Sequence, residues 1–256
     1  MLKIGRKPFW QFQKNIKNNL KIIATPQPEK IVAELLAKEL ISYLGKGKVL
    51  LLLAGGSAVS IYPLLLKHLS KLGSLKNLSV SVGDERWDKN PLHRNSNWQE
   101  INKTGLLELV RIEGGQVYQI LKGKSFEETA KDYQKFLERN ISDNSYIISM
   151  QGIGVDGHTA GIFPSSRKVF TENYLKNVLV SAYQLGPKDS PKRITISPKF
   201  FQKINKIYLF AKGAEKLPLL KKLIKSASAK QSFIYKYPAL LALRRNCLLI
   251  TDQDLN

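Results

Sequence analysis

Short apolar runs alternate with longer amphipathic stretches along most of this chain, and this alternation limits the fold more than any other feature. Each apolar run has the length of a buried strand, whereas the amphipathic stretches repeat their apolar residues at helical spacing. Val49–Leu53, for example, is continuously apolar, as expected for a strand buried on both faces of a parallel sheet. Strands that alternate with helices predict an α/β fold with a mainly parallel sheet and helices on both faces.

The strands and helices predicted from this pattern fill the chain from about residue 21 onward. The predicted strands are Ile22–Ala24, Val49–Leu53, Leu78–Val82, Tyr146–Met150, Val178–Ala182, Arg193–Ile196, Ile207–Ala211 and Leu248–Ile250. The predicted helices are one that Pro26 opens and Gly45 ends, Ser57 to about Lys71, Asn97–Leu109, Phe126–Asn140 and Glu215–Lys225. No internal repeat or convincing boundary divides this region, so residues 21–256 are expected to form a single domain.

Residues 1–20 form a basic extension before this domain. Glu29 is the first acidic residue of the chain, and five lysines and Arg6 precede it. The apolar residues of the extension recur at helical spacing, at Phe9, Phe12, Ile16 and Leu20. This spacing predicts a basic amphipathic helix that packs on the domain or on a partner subunit. Membrane-surface binding is the alternative for such a helix.

The chain is strongly basic. Its 256 residues include 41 Lys and Arg against 20 Asp and Glu, a net charge of +21, and only nine of the basic residues are arginine. Such an excess indicates a polyanionic partner, an anionic substrate or a lysine-rich surface. A nucleic-acid-binding protein is the alternative based on charge alone. The sequence shows no recognisable RNA or DNA module, so no nucleic-acid partner is expected.

Simple counts exclude several protein classes. The single cysteine, Cys247, excludes an intramolecular disulfide framework and a cysteine-based zinc finger. No apolar run approaches the ~20 residues needed to span a bilayer, so no transmembrane segment is expected. Because no apolar signal region follows the first charges, a secretory signal is not expected either, and the expected location is cytoplasmic.

Ligands of a parallel α/β sheet bind outside the carboxyl ends of its strands, and a glycine-rich turn follows the strand at Val49–Leu53. Gly55 and Gly56 allow backbone amides to approach an oxyanion closely, and Ser57 can cap a helix whose N-terminus favours a phosphate. The alternative is a tight strand-to-helix turn that binds nothing. The turn is neither a Walker loop nor a dinucleotide fingerprint, so nucleotide binding is not supported.

Charged residues follow the strand at Leu78–Val82. Asp84, Glu85 and Arg86 are costly at this position unless they pair with one another or with a ligand. The alternative to a ligand site is an internal ion-pair cluster that organises the loop. Residues 95–97, Asn-Ser-Asn, are expected to cap the next helix.

A second glycine-rich loop, residues 152–161, follows the strand at Tyr146–Met150. It contains Asp156 and His158, two positions apart. Histidine is the usual general base, and a nearby carboxylate can fix its tautomer. The other two histidines, His68 and His93, could be merely solvated. No spacing of histidines and carboxylates is typical of a metal site, so no metal is expected.

A basic, proline-punctuated loop precedes the strand at Arg193–Ile196. Lys188, Lys192 and Arg193 in this segment could hold a phosphate. The alternative is a solvated basic loop, because lysine is abundant throughout the chain.

Taken in chain order, these segments resemble one family, the 6-phosphogluconolactonases of the pentose phosphate pathway. The resemblance is carried by Gly-Gly-Ser at 55–57, Asp-Glu-Arg-Trp at 84–87, the run Gly-Ile-Gly-Val-Asp-Gly-His-Thr-Ala-Gly-Ile-Phe-Pro at 152–164, Pro-Lys-Arg-Ile-Thr at 191–195 and Lys-Gly-Ala-Glu-Lys at 212–216. It extends from about Lys21 to Ile250 and implies a Rossmann-like fold. These lactonases share that fold with the glucosamine-6-phosphate deaminases and isomerases.

Two positions favour the lactonases over the deaminases. Deaminases typically follow Asp-Gly-His with a glutamate-bearing stretch, whereas residues 161–165 here contain no acid. Deaminases also have a tyrosine where this chain has Arg86. A deaminase or isomerase acting on an amino-sugar phosphate remains the alternative of the same fold, and a non-catalytic sugar-phosphate sensor is a further one.

The resemblance implies hydrolysis of 6-phosphogluconolactone to 6-phosphogluconate by a water that His158 activates, without a cofactor or a covalent nucleophile. Arg86 and the amides of residues 152–157 would stabilise the oxyanion, and Asp84 or Asp156 would orient the histidine or the sugar. The phosphate would lie near Gly55, Gly56 and Ser57, with Lys188 and Arg193 supplying charge. The implied partner is the sugar-phosphate lactone alone, bound by a monomer or a homodimer.

Overall fold

The computed structural model describes residues 12–16, 20–184, 191–227, 233–243 and 245–255. Its strands are β1 (Phe12–Ile16), β2 (Leu20–Ala24), β3 (Val49–Leu53), β4 (Leu78–Val82), β5 (Asp84–Arg86), β6 (Gln116–Val117), β7 (Tyr146–Gly152), β8 (Val180–Gln184), β9 (Lys192–Ile196), β10 (Lys206–Ala211) and β11 (Cys247–Thr251). Its α-helices are α1 (Pro28–Leu44), α2 (Tyr62–Leu69), α3 (Asn97–Asn102), α4 (Leu106–Ile112), α5 (Phe126–Ser142), α6 (Arg167–Tyr174), α7 (Pro198–Phe201), α8 (Leu217–Ala227) and α9 (Leu240–Leu243). Short 3-10 helices cover Gly56–Ile61 and Ala214–Lys216.

The main sheet has the strand order β1-β2-β11-β10-β7-β3-β4-β6. All neighbouring pairs from β2 to β6 in this order are parallel, and only β1 is antiparallel to its neighbour. All five residues of β3 are buried. Successive side chains of a strand point to opposite faces, so both faces of the sheet centre are covered. The predicted α/β fold with a mainly parallel sheet is therefore confirmed.

A second, smaller sheet was not predicted. β5 and β8 both pair antiparallel with β9, in the order β5-β9-β8. The sequence predicted β8 and β9 but placed every strand in one mainly parallel sheet, and it left β5 out. The three residues of β5 are all charged, so no apolar pattern marks them as a strand. Their strand conformation depends on pairing with residues far along the chain.

The predicted helix over residues 1–20 is wrong at its described part. Phe12–Ile16 is strand β1, which pairs antiparallel with β2 at the edge of the main sheet. Residues 1–11 and 17–19 lie outside the described residues. A spacing of four places residues on one face of a helix, but because four is even it also places them on one face of a strand. The spacing alone therefore did not distinguish the two.

Two predicted helices are divided in the structure. The one predicted from Ser57 begins as the 3-10 helix Gly56–Ile61 and continues as α2. The one predicted over Asn97–Leu109 is interrupted between α3 and α4, where Gly105 has a φ of +79°. Residues with a side chain rarely adopt this left-handed conformation, and it ends an α-helix. No helix among the described residues is long and apolar enough to cross a membrane.

Candidate active site

A cavity of about 400 Å³ lies at the carboxyl ends of β3, β4 and β7. It is lined by Ala54, Gly55, Gly56, Ser57, Asp84, Arg86, Asn97, Gly152, Ile153, Gly154, His158, Ala160, Phe163, Arg193 and Lys216. The three glycine-rich or charged segments selected from the sequence therefore meet at one place. Most of the predicted site residues line the cavity. Asp156 lies behind the lining and contacts His158, and Lys188 lies outside the described residues.

The turn after β3 forms one wall of the cavity. Gly55 is extended and packs directly on Asn97, because a Cβ atom at position 55 would lie 2.2 Å from Asn97 Oδ1. Gly56 has a φ of +63° and begins the 3-10 helix. Ser57 was expected to cap the helix, but it lies inside the 3-10 helix, whose N-cap is Gly55 and which has no side-chain cap. That prediction is wrong, although Ser57 does line the cavity.

The adjacent carboxylates after β4 have different surroundings. The buried Glu85 carboxylate accepts hydrogen bonds from Ser96 Oγ at 2.8 Å, Asn97 N at 3.0 Å and Trp98 N at 2.9 Å. Burial raises the pKa of Glu85, and these hydrogen bonds oppose that shift. Glu85 thus fixes the N-terminus of α3. The alternative to a ligand site, a cluster that organises the loop, is therefore correct for Glu85, although hydrogen bonds take the place of the expected ion pairs.

Asp84 instead faces the cavity. Its Oδ2 lies 3.6 Å from Arg193 Nη1, and both side chains are largely buried. Burial raises the pKa of the Asp84 carboxyl, and the opposing effects of the two nearby arginines and His158 only partly offset it. The ionised form of a carboxyl in this environment is disfavoured unless a further cation or hydrogen-bond donor approaches it.

Arg86 and Arg193 are directly opposite each other in the antiparallel pairing of β5 and β9. Like charges at opposed positions destabilise a sheet, and an anion between them relieves the repulsion. Arg86 Nη1 donates to the carbonyl oxygen of Asn95 at 2.9 Å and to Asn97 Oδ1 at 3.1 Å. The guanidinium of Arg193 lies over the Phe163 ring, 5.2 Å from its centroid. Contacts within the protein therefore hold both guanidinium groups at the cavity.

The loop after β7 places a histidine beside a carboxylate. Nδ1 of His158 lies 2.6 Å from Asp156 Oδ1, which also accepts the backbone N–H of His158 at 3.0 Å. Burial raises the pKa of Asp156, but its hydrogen bonds from His158 outweigh burial and lower it. Because an ionised carboxylate only accepts hydrogen bonds, Nδ1 carries the hydrogen, and Nε2 of the neutral imidazole is left as a proton acceptor. Of the two candidate aspartates, Asp156 is the one that contacts His158 directly.

Three cavity residues were missed as site residues. Residues 95–97 were expected to cap α3, and Ser96 does so, but the Asn97 side chain lines the cavity. Lys216 donates from Nζ to the carbonyl oxygen of Ile153, and burial lowers the pKa of its ammonium. Phe163 packs on His158 with ring centroids 4.6 Å apart. Lys216 follows β10 at its carboxyl end, so the rule that selected the other segments could have found it.

Two further expectations concern metals and the other histidines. Within the described ranges, no group of three or more His, Cys, Asp and Glu residues is arranged to hold a metal ion. His68 lies on α2, and His93 contacts the carbonyl oxygen of Arg86 through Nε2 at 3.1 Å. His158 is therefore the histidine that the described structure places in the cavity.

Comparisons with known proteins agree on one family. A family model described as glucosamine-6-phosphate isomerases/6-phosphogluconolactonase matches residues 27–249. A 6-phosphogluconolactonase of Chlamydia pneumoniae is 24% identical over 213 residues, covering 81% of this chain and 78% of the relative. A probable chloroplastic 6-phosphogluconolactonase of Oryza sativa subsp. indica is 30% identical over 73% of this chain and 61% of its own length. The fold is similar to the crystal structure of a 6-phosphogluconolactonase from Shewanella baltica, with a TM-score of 0.69, 21% identity and coverage of 94% and 98%.

Proposed function

This chain belongs to the family of glucosamine-6-phosphate isomerases and 6-phosphogluconolactonases, and we propose that it hydrolyses 6-phosphogluconolactone to 6-phosphogluconate. The observation that carries this proposal is the His158 imidazole, which Asp156 orients at a cavity that also contains arginine side chains. The relatives described above carry this lactonase activity in their names. A histidine with a carboxylate partner and fixed cations suits the hydrolysis of an anionic ester without a cofactor.

His158 acts as the general base in the proposed reaction. Nε2 accepts a proton from a water molecule as the water oxygen attacks the lactone carbonyl carbon. The tetrahedral intermediate then breaks its bond to the ring oxygen, and the imidazolium returns the proton to that oxygen. Asp156 keeps the proton on Nδ1 and stabilises the imidazolium, as its 2.6 Å contact supports. Asp84, which also lines the cavity, orients the sugar hydroxyls.

The cations of the cavity divide into two groups. Arg86 bonds to Asn97, which packs on Gly55, so Arg86 is adjacent to the turn expected to hold the phosphate. Arg193 lies over Phe163, whose ring in turn packs on His158. We therefore assign Arg86 and the Gly55–Ser57 turn to the phosphate, and Arg193 with the loop amides to the oxyanion.

This assignment exchanges the roles that the resemblance implied for the two arginines. Arg86→Lys is expected chiefly to raise KM and Arg193→Lys chiefly to lower kcat, because Arg193 would act mainly in the transition state. The opposite division between KM and kcat would restore the roles expected from the sequence. Lys188 stays a prediction for the phosphate.

The direct test is an assay with freshly prepared 6-phosphogluconolactone. The purified protein should consume it well above the spontaneous rate, and His158→Gln should lower kcat by about 10²–10⁴-fold. His68→Gln, on α2 away from the cavity, is the matched control and should retain activity. No acceleration by the wild-type protein contradicts the proposal, and ammonia release from glucosamine 6-phosphate would indicate the deaminase instead.

Location and assembly are also proposals. A cytoplasmic enzyme fits the helices of the described residues, none of which could span a membrane. One relative is named as chloroplastic, so fractionation of the source cells is the appropriate test. A monomer or homodimer stays the prediction for assembly, and light scattering of the purified protein would decide between them.

A further inference from the structure

The chain that follows His158 is held by tyrosine hydroxyls from outside its own loop. Tyr183, on β8, donates a hydrogen bond to the carbonyl oxygen of Gly161. The hydroxyl oxygen of Tyr174, at the end of α6, accepts the backbone N–H of Phe163 at 3.1 Å. Two tyrosines that are distant from this segment in the sequence thus bind backbone groups on either side of residue 162.

The two tyrosines form one packed unit. Their rings pack edge to face with centroids 4.8 Å apart. Tyr174 is fully buried and Tyr183 is 5% exposed. Burial raises the pKa of both hydroxyls, so both remain protonated near neutrality and keep a hydrogen to donate. A buried hydroxyl that loses its partner is costly, which fixes the two groups in place.

Phe163 connects this unit to the charged groups of the cavity. Its ring packs on His158 with centroids 4.6 Å apart, and the Arg193 guanidinium lies 5.2 Å from its centroid. Asp156 restrains the imidazole at Nδ1 only. Contact with Phe163 therefore supplies the second restraint on the orientation of the ring.

We propose that Tyr174 and Tyr183 are positioning residues for the lactone hydrolysis, which hold Phe163 so that it orients the His158 imidazole and Arg193. The proposal rests on the proposed function. Neither tyrosine is among the described residues that line the cavity, so both act through Phe163 and not on the substrate. Small displacements of a catalytic group lower the rate strongly, because the reacting atoms must be aligned within a fraction of an ångström.

The test compares Tyr174→Phe and Tyr183→Phe with a matched control. Each change removes one buried hydroxyl and keeps the ring. Tyr208→Phe is the control, because its buried hydroxyl donates to the carbonyl oxygen of Leu35 at 3.1 Å, away from the cavity. All three variants should lose similar thermal stability. Only the first two should lower kcat, by about tenfold, with KM changed less than twofold.

Proton NMR of the histidine rings distinguishes a positioning role of the tyrosines from a purely structural one. The chain has three histidines, and the His158 signal is identified by its loss in His158→Gln. The Phe163 ring current acts on that signal, so Tyr174→Phe and Tyr183→Phe should shift it and leave those of His68 and His93 in place. Tyr208→Phe should shift none of them.

A change at Phe163 itself tests the proposed link between the tyrosines and His158. Phe163→Leu should reproduce the loss of kcat and the shift of the His158 signal without any change to the tyrosines. The proposal is overturned if both tyrosine variants match Tyr208→Phe in kcat and leave the His158 signal unmoved. An inactive wild-type protein would contradict the proposed function instead, and the NMR comparison would still decide whether the tyrosines position His158.

Discussion

At the scale of single residues, two neighbouring carboxylates show how burial separates structural from reactive groups. Glu85 uses its oxygens to accept hydrogen bonds at the start of α3. Asp84, one position earlier, points to the cavity and approaches Arg193 at 3.6 Å. Burial raises the pKa of both carboxyls, so the ionised form of each is disfavoured by its surroundings. Only the Asp84 carboxyl lies where a ligand can change those surroundings.

Asp84→Asn is expected to stabilise the protein while it lowers kcat/KM. The raised pKa means that the folded protein favours the neutral carboxyl, and the amide is neutral at every pH. A carboxyl of this kind binds its proton more tightly when folded, so the wild-type unfolding free energy falls as pH rises through the folded pKa. The stability advantage of Asp84→Asn should therefore grow as the pH rises above about 4, the ordinary pKa of an aspartate, with about 2–4 °C in Tm for each kcal/mol gained.

Urea unfolding at several pH values checks this expectation. The matched control is Asp88→Asn, because Asp88 lies on the exposed part of the same loop. Its stability difference from the wild type should not show the same growth with pH. Destabilisation by Asp84→Asn at neutral pH would show that the ion pair with Arg193 outweighs the burial of the carboxylate.

At the scale of elements, the loop after β7 is a tightly wound segment that leaves no space for a side chain at Gly154 or Gly161. Gly157 has a φ of +90° and Ala160 a φ of +48°, both in the left-handed region. Left-handed backbone at a residue with a side chain is uncommon and concentrates at functional sites. Gly154 is the most restricted position, because its backbone N–H donates to the carbonyl oxygen of His158 and its Cα faces the imidazole.

Gly154→Ala is expected to lower kcat by about 10²-fold, because a displaced base loses its alignment with the substrate. The added Cβ would lie 2.0 Å from Nδ1 of His158 and 2.7 Å from Asp156 Oδ1, so the imidazole must move. Gly47→Ala is the control, since a Cβ there meets nothing within 4 Å. Steady-state assays and thermal melts of both variants check this, and an unchanged kcat in Gly154→Ala would show that the loop can relax.

At the scale of the whole molecule, the charge of +21 exceeds what the cavity uses. Three cations line the cavity in the described structure, Arg86, Arg193 and Lys216. The other described lysines and arginines do not line the cavity, and the proposed reaction does not explain them. Their combined field nevertheless attracts an anionic substrate, because the potential of a charged protein acts beyond direct contact.

The KM for 6-phosphogluconolactone is therefore expected to rise with ionic strength, by about 2–5-fold between about 20 and 200 mM salt, with little change in kcat. Salt screens the long-range attraction between the free protein and the substrate strongly, whereas it screens the contacts inside the cavity much less. The control is the same lactone without its phosphate, whose KM should not depend on salt. A KM for the phosphorylated lactone that is independent of salt would contradict a role for the overall charge.

The sequence by itself determined the central parallel strands, the longer helices and the segments that meet at the cavity. The parallel strands were visible because continuous apolar runs such as Val49–Leu53 are typical of strands buried on both faces. The contact of Asp156 with His158 was predictable because residues two apart on one tight loop are neighbours whatever the rest of the chain does. The Gly-Gly-Ser turn followed from the rule that ligands bind at the carboxyl ends of parallel strands.

Only the tertiary structure decided the features that depend on residues distant in the sequence. The small antiparallel sheet places Arg86 opposite Arg193, and three charged residues in β5 carry no pattern that predicts such pairing. The separate surroundings of Asp84 and Glu85 follow from that pairing and from the start of α3. Phe12–Ile16 is a strand because it pairs with β2, although its spacing fits a helix equally well. Local patterns record the preferences of a segment, whereas burial and ion pairing are set by whichever distant segments pack against it.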